Sequence, residues 1–204
     1  MSAPPIKRYD KAYFDKWYRN PRSRVVTPAS TERKVRMVVG IAEYLLERPI
    51  RRVLDVGCGE APWRAQLRRI RPRVQYEGID PSPYVVERFG ARRDIRLGGF
   101  GDVGRVGLEG PYDLVVCSDV LQYVEDADLV RGLAAIAGML GGVAFLEAYT
   151  SGDELVGDRR LWKDRTAREW RRRLKAAGLV ACGMHCYVAK PLEDRLLELE
   201  RADR

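Results

Sequence analysis

Short apolar runs alternate along the chain with longer segments whose apolar positions recur every three or four residues. The runs at 52–56, 74–79, 95–97, 112–118, 143–148 and 179–188 have strand character. The segments between them read as helices with clear ends. Thr27-Pro28 opens one with Val35, Val38, Ala42 and Leu45 on a single face, stopping near Pro49. Pro62 opens a second, with Trp63, Leu67 and Ile70 to one side, and Ser82-Pro83 starts a third. Leu129, Leu133, Ile136 and Leu140 mark a fourth, expected to close at Gly141-Gly142. Thr166 and Glu169 form a capping box ahead of Trp170 and Leu174, with Gly178 at the exit. A last amphipathic piece carries Leu192, Leu196 and Leu199.

Strands alternating with helices of this length predict an α/β domain, a doubly wound and mostly parallel sheet with helices on both faces. No internal repeat or linker divides residues 1–204, so one domain is expected. Its parts would be an extra N-terminal helical cap or lid (1–48), a ligand-binding core (49–150) and a substrate loop with the C-terminal part (151–204).

Composition narrows the class. At 204 residues, with 46% hydrophobic and 32% charged positions, the chain suits one sizeable core and is not of disordered type. The longest uncharged stretch, 132–146, is too short for a membrane span of about 20 apolar residues and is broken by Gly141-Gly142. The opening MSAPPIKRYD has no apolar signal-like run, so a cytoplasmic location without membrane contact is expected. Cys182, His185 and Cys186 suggest a metal at first sight. On one continuous strand, though, the cysteines would stand about 13 Å apart with His185 on the other face. With Cys58 and Cys117 they read as buried apolar-like side chains, and no metal is expected. The net charge of +8 raises nucleic acid as a partner, but the excess is spread over predicted helix faces, which favours a solvated surface.

The chemistry concentrates where the first strand ends. In VLDVGCGEAPW (53–63), Gly57 and Gly59 stand at the turn into the helix opened by Pro62. Such a turn lets a ligand lie against bare backbone at the carboxyl edge of a parallel sheet. Asp80 ends the second strand, where a carboxylate can accept both hydroxyls of an adenosine ribose. Phe100-Gly101-Asp102 follows the third, where an acid can accept the adenine amino group while Phe100 or Val103 packs on the ring. The run 112–124 is a buried fourth strand with a polar end. Together these describe an adenosine pocket along the sheet edge.

In this order and spacing the pieces resemble the class I S-adenosylmethionine-dependent methyltransferases, across about residues 50–150. VLDVGCGEAP is similar to the family's Asp-x-Gly-x-Gly-x-Gly motif, Gly78-Ile79-Asp80 to its ribose-binding acid, Gly101-Asp102-Val103 to its adenine motif and the run 112–124 to its fourth-strand motif. The resemblance implies a Rossmann-like fold with six or seven strands, and S-adenosyl-L-methionine as cofactor with S-adenosyl-L-homocysteine as product. It implies a cofactor site made by Asp55, Gly57, Cys58, Gly59, Asp80, Pro81, Gly101, Asp102, Ser118, Asp119 and Leu121, with Asp55 near the methionine amino group. The chain departs from the pattern in three ways: Ala61 stands for the third glycine, the fourth-strand helix reads Leu121-Gln-Tyr-Val124 without a histidine, and the seventh strand is hard to find. A nicotinamide dinucleotide fits poorly, because its pyrophosphate wants no nearby acid and its fingerprint wants glycine or alanine where Pro62 stands.

A methyl donor of this kind needs an aligned nucleophile and, where that nucleophile carries a proton, a base. Asp119, Tyr123, Glu147 and Tyr149 are the strand-end candidates; Asp119 is assigned to the cofactor lining, leaving Tyr123, Glu147 and Tyr149 as weak candidates, and His185 reads as structural. Tyr9, Tyr13, Phe14, Trp17 and Tyr18 fall at helical spacing, either packing the N-terminal segment or forming a lid, with Arg19 or Arg24 reaching a carboxylate. The long connection 148–165 carries Asp153, Glu154, Asp158 and Trp162 and is expected to gate the substrate. A small-molecule acceptor is the favoured reading. RNA or protein as acceptor, or a cofactor-binding protein without catalysis, are the alternatives. Strand four lacks the Asn/Asp-Pro-Pro-Tyr/Phe ending that grips an exocyclic amine, and Cys117 lacks the proline of a cytosine-attacking nucleophile.

Overall fold

A computed structural model describes residues 7–154, 158–190 and 192–202. Its sheet has seven strands: β1 (Arg52–Val56), β2 (Gln75–Asp80), β3 (Ile95–Leu97), β4 (Tyr112–Cys117), β5 (Leu140–Leu146), β6 (Val180–Gly183) and β7 (Cys186–Val188). The order is β3-β2-β1-β4-β5-β7-β6. The first five run parallel, and β7 lies antiparallel to both β5 and β6. The helices are α1 (Lys11–Phe14), α2 (Pro28–Leu46), α3 (Pro62–Ile70), α4 (Pro83–Arg93), α5 (Asp126–Met139) and α6 (Ala167–Ala176). The expected doubly wound α/β architecture is present.

Local chemistry explains most of the boundaries. Thr27, Ser82 and Thr166 each accept a backbone N–H in the first turn of the helix that follows, and proline leads into α2, α3 and α4. β4 is buried at every position because sheet neighbours and helices cover both its faces. Two apolar layers result. α2 and α3 cover one face, where Val35, Val38, Leu67, Phe145 and Trp63 meet. α5 and α6 cover the other, where Leu129, Leu133, Ile136 and Trp170 meet Val115 and Leu146.

Three expectations change. The run 179–188 is a β6–β7 hairpin, not one strand, because Gly183, Met184 and His185 all take positive φ and reverse the chain. That supplies the seventh strand, and it voids the spacing argument for Cys182 and Cys186, which lie on paired strands. Among the described residues no group of three or more His, Cys, Asp or Glu is arranged to hold a metal. Gly141-Gly142 does not stop α5: the chain passes from Met139 straight into β5, and both glycines lie inside the strand. A Cβ on Gly142 would stand 2.0 Å from the Asp113 carbonyl oxygen, so the close approach of β5 to β4 requires its absence. Among the described residues after Ala189 the only regular elements are short 3-10 turns, with Leu192 and Leu196 buried and Leu199 fully exposed, so the expected amphipathic piece is not one continuous helix. Among the described residues no helix is long and apolar enough to cross a membrane.

Candidate active site

The order of the strands reverses between β1 and β4, and the crevice at their carboxyl ends is where an open α/β sheet binds ligands. There Gly57 (φ 71°) and Gly59 (φ 53°) turn the chain into α3. A Cβ on Gly57 would stand 2.4 Å from Val120 Cγ2, so a side chain there has neither space nor a relaxed backbone. The Gly57 and Cys58 amides donate to the Ile79 carbonyl at 2.8 and 3.2 Å, which ties the turn to β2. Ala61, in the place of the third glycine, also has positive φ (56°).

Two carboxylates lie beneath this turn. Asp80 accepts the Gly59 amide on Oδ2 at 2.7 Å and the Ser82 amide on Oδ1 at 2.9 Å. Asp55 accepts the Tyr76 hydroxyl at 2.7 Å. Asp55 is 2% exposed and Asp80 6%. Burial pushes the Asp55 carboxyl up to about 7, against the pull of the Tyr76 hydrogen bond and with Asp80 adding to it. Burial likewise pushes Asp80 up to about 6, against its two backbone donors. Cys58 is a buried free thiol whose sulfur fills the space beside Gly78.

The ends of β4 and β5 supply a second polar cluster. Ser118 donates to Glu147 at 2.6 Å, and Lys34 from α2 ion-pairs with Glu147 at 2.5 Å. Burial pushes the Glu147 carboxyl up, but Lys34 and the Ser118 hydroxyl outweigh it and leave it below the usual value. Asp119 has positive φ (60°) and accepts from Gln122 at 2.7 Å; burial raises its carboxyl to about 6. Tyr123 donates to the Asp158 carbonyl at 2.5 Å. The Tyr149 carbonyl accepts the Trp170 indole N–H at 2.8 Å. Arg165, 4% exposed, donates to the Leu121 and Val124 carbonyls at 3.3 and 2.6 Å and pairs with Asp126. This fastens the end of the 148–165 connection beneath the turn after β4.

The aromatic N-terminal segment covers the crevice. Tyr9, Tyr13, Phe14 and Tyr18 follow one another with ring centroids 5.0, 5.5 and 5.2 Å apart. A Cβ on Gly59 would meet Phe14 at 3.3 Å. Arg19 forms an ion pair with Glu60 in the glycine turn. Three cavities remain underneath. One of about 60 Å³ is lined by Tyr9, Tyr13, Phe14, Gly59, Asp80 and Pro81 among others. A second, about 220 Å³, has Asp55, Gly57, Cys58, Ser118, Asp119 and Lys34 in its wall. A third, about 170 Å³, has Trp17, Lys34, Asp119, Tyr123, Tyr149 and Trp162 in its wall. Asp119 lines all three.

Most of the expected cofactor residues therefore meet at one crevice. Leu121 is fully buried in the core, and Gly101 and Asp102 line none of the three cavities. Asp102 accepts the Gly99 amide at 2.9 Å, and both Phe100 and Val103 are packed in the core. Of the weak base candidates, Tyr123 and Tyr149 line the third cavity, whereas Glu147 is engaged by Lys34 and Ser118. His185 packs edge-on against Phe145 at 6.2 Å. Lys34 also lines two of these cavities, brought there by α2 from far away in sequence, and no local motif announces it.

Comparison with known proteins gives the family. Residues 16–195 match the family model described as a methyltransferase domain. The trans-aconitate 2-methyltransferase of Deinococcus radiodurans is 33% identical over 82 residues, 39% of this chain and 31% of that protein. The chain matches only 26% and 31% of the length of the curated relatives found. Among solved structures, Streptomyces venezuelae DesVI superposes with a TM-score of 0.59 at 16% identity, covering 79% of this chain and 91% of that one. The sugar N-methyltransferase KedS8 from Streptoalloteichus sp. superposes at 0.57 with 19% identity, covering 88% and 90%. The motif order, the strand order and the extent of the family match together show that the chain belongs to the class I S-adenosylmethionine-dependent methyltransferases.

Proposed function

We propose that the protein binds S-adenosylmethionine and moves its methyl group to an O, N, S or C nucleophile of a small-molecule acceptor, releasing S-adenosylhomocysteine. The observation that carries this reading is the pair of buried carboxylates beneath a turn in which Gly57 leaves no room for a side chain. The donor set fits the cofactor. Each Asp80 oxygen already takes one backbone N–H and keeps a lone pair for a ribose hydroxyl. Asp55, buried with one hydroxyl partner, would gain its counter-charge from the methionine ammonium. Gly57, Cys58 and Gly59 would offer their backbone, with Pro81, Ser118 and Asp119 around them. Gly101 and Asp102 are assigned to the adenine end.

When bound, the cofactor supplies an already activated methyl group. The residues of this chain have four tasks: to hold it, to align the acceptor, to keep water out and to accept a proton where the acceptor has one. The aromatic segment and the 148–165 connection exclude water. Asp119, with a carboxyl near 6 and a place in all three cavities, is the group best suited to take a proton at neutral pH. Tyr123 and Tyr149, held well above their ordinary values by burial, stay protonated and line the acceptor cavity, with the Tyr123 hydroxyl proton committed to the Asp158 carbonyl.

The size of the third cavity, about 170 Å³, supports a small acceptor, as do the names of two of its relatives. Calorimetric titration with S-adenosylmethionine and S-adenosylhomocysteine, with a nicotinamide dinucleotide as control, tests the cofactor. Binding of the first two alone is expected; no binding of either would overturn the reading.

A further inference from the structure

The Lys7 ammonium occupies an unusual place. It lies 3.4 Å from the Tyr123 ring centroid, 5.3 Å from that of Tyr9 and 5.5 Å from that of Tyr13. Asp158 Oδ2 stands 3.1 Å away, and the two side chains are 6% and 12% exposed. The nitrogen is buried, and Asp158 is the carboxylate that faces it. Tyr123 is itself fixed by its bond to the Asp158 backbone. An ammonium stripped of water and ringed by three aromatic faces and one carboxylate is in a cage built for a cation.

The cage also has two sides. Lys7, Tyr13 and Asp158 line an outer groove of about 390 Å³. Tyr9, Tyr13 and Tyr123 belong to the cavity above Gly59 and Asp80 on the inner side. Arg8, Lys16 and Arg160 rim the groove, so attraction for a cation is a property of the cage and not of the surface around it. Nothing in the fold requires a lysine here: an apolar residue would pack on the same rings without losing water from a charge.

We propose that the Tyr9–Tyr13–Tyr123–Asp158 cage is a binding site for an alkylammonium group of the acceptor, and that Lys7 fills it as a tethered stand-in. This rests on the methyltransferase reading above and narrows its acceptor to molecules carrying an aliphatic amine. The cage recognises the charged group, and the incoming ammonium displaces the chain's own.

The test is chemical complementation in the full chain. In Lys7→Ala, n-butylammonium should bind saturably, read by fluorescence of Trp162, whose ring centroid is 6.4 Å from that of Tyr123. Its affinity should exceed that for wild type, and that of uncharged 1-butanol for the variant, by roughly tenfold or more. Adding Tyr123→Leu to the variant should abolish it. Saturating S-adenosylhomocysteine should change the butylammonium affinity severalfold, because the two sites share three tyrosines. A folded Lys7→Ala protein that binds no butylammonium, or binds butanol equally well, overturns the cage. Butylammonium binding that ignores bound S-adenosylhomocysteine overturns its assignment to the acceptor. Failure of S-adenosylhomocysteine to bind at all, seen separately by calorimetry, removes the functional reading and leaves the cage standing.

Discussion

On the proposed function, Asp55 is the residue at which stability and ligand binding pull in opposite directions, so replacing it by asparagine should reveal both. Burial lifts its folded-state carboxyl from 3.8 to about 7. A shift of that size corresponds to about 4 kcal/mol between the protonated and ionised forms. Because the folded value lies above the unfolded one, the stabilisation is present below about pH 4 and is lost as pH rises through 7. Asp80, lifted to about 6, adds a smaller loss of the same sign. Asp55→Asn keeps an acceptor for the Tyr76 hydroxyl without a charge to bury. The ligand-free variant should melt like wild type near pH 4 and above it at pH 8.

Ligand binding should reverse the ranking. At pH 6 about nine-tenths of Asp55 and about half of Asp80 carry protons in the free protein. If the amino acid ammonium and ribose hydroxyls of S-adenosylhomocysteine favour both ionised forms, binding should release roughly one and a half protons at pH 6 and almost none at pH 8. Calorimetry in buffers of low and high ionisation enthalpy reads that number directly. In Asp55→Asn the release should fall to about half a proton, and affinity at pH 8 should drop by roughly 10- to 100-fold, as expected for one lost charge-assisted bond. Proton release that is the same for both proteins would refute the pairing of Asp55 with the ammonium.

Three further outcomes follow from the same geometry. Asp80→Asn cannot accept from both Gly59 and Ser82 while also meeting two ribose hydroxyls, so S-adenosylhomocysteine affinity by calorimetry should fall by about two orders of magnitude, with the circular dichroism unchanged. Arg165→Met strips the Leu121 and Val124 carbonyls of their buried donor, which should cost about 3 kcal/mol and lower the melting temperature by about 6–12 °C. Deleting residues 1–20 removes the aromatic cover over Gly59 but none of the sheet, so limited proteolysis should find the core intact while S-adenosylhomocysteine dissociates faster; equal loss of core and binding would make the segment plain packing.

What the sequence disclosed and what it hid differ in range. α2, α3, α4 and α6 could be read because their starts are local: a hydroxyl accepting an N–H three residues on, or a proline where no donor is needed. β1 and its glycine turn could be read for the same reason, and with them Asp55, Gly57, Gly59 and Asp80. Errors arose where glycine serves a distant partner. At Gly142 the absent side chain makes room for the Asp113 carbonyl of β4, which no local rule separates from a helix stop. The β6–β7 turn failed for the opposite reason, since Met184 and His185, side chains that rarely take positive φ, make the reversal.

The cationic side chains at the crevice were hidden by the same logic. Lys7, Lys34 and Arg165 looked like ordinary members of a basic chain, because a solvated lysine and one held against a carboxylate are identical in sequence. Three contacts set them apart: Lys34 with Glu147 across 113 positions, Arg165 with Leu121 across 44, and Lys7 with Asp158 at the edge of the cavities. All three contacts bring side chains from outside the short motifs to the crevice or its edge. On the proposed function, the half of the site that would hold the cofactor is thus written in short motifs around one turn. The half proposed to choose the acceptor would be assembled from the N-terminal segment, α2 and the described ends of the 148–165 connection, and it is in those segments that substitutions should change the substrate without touching cofactor affinity.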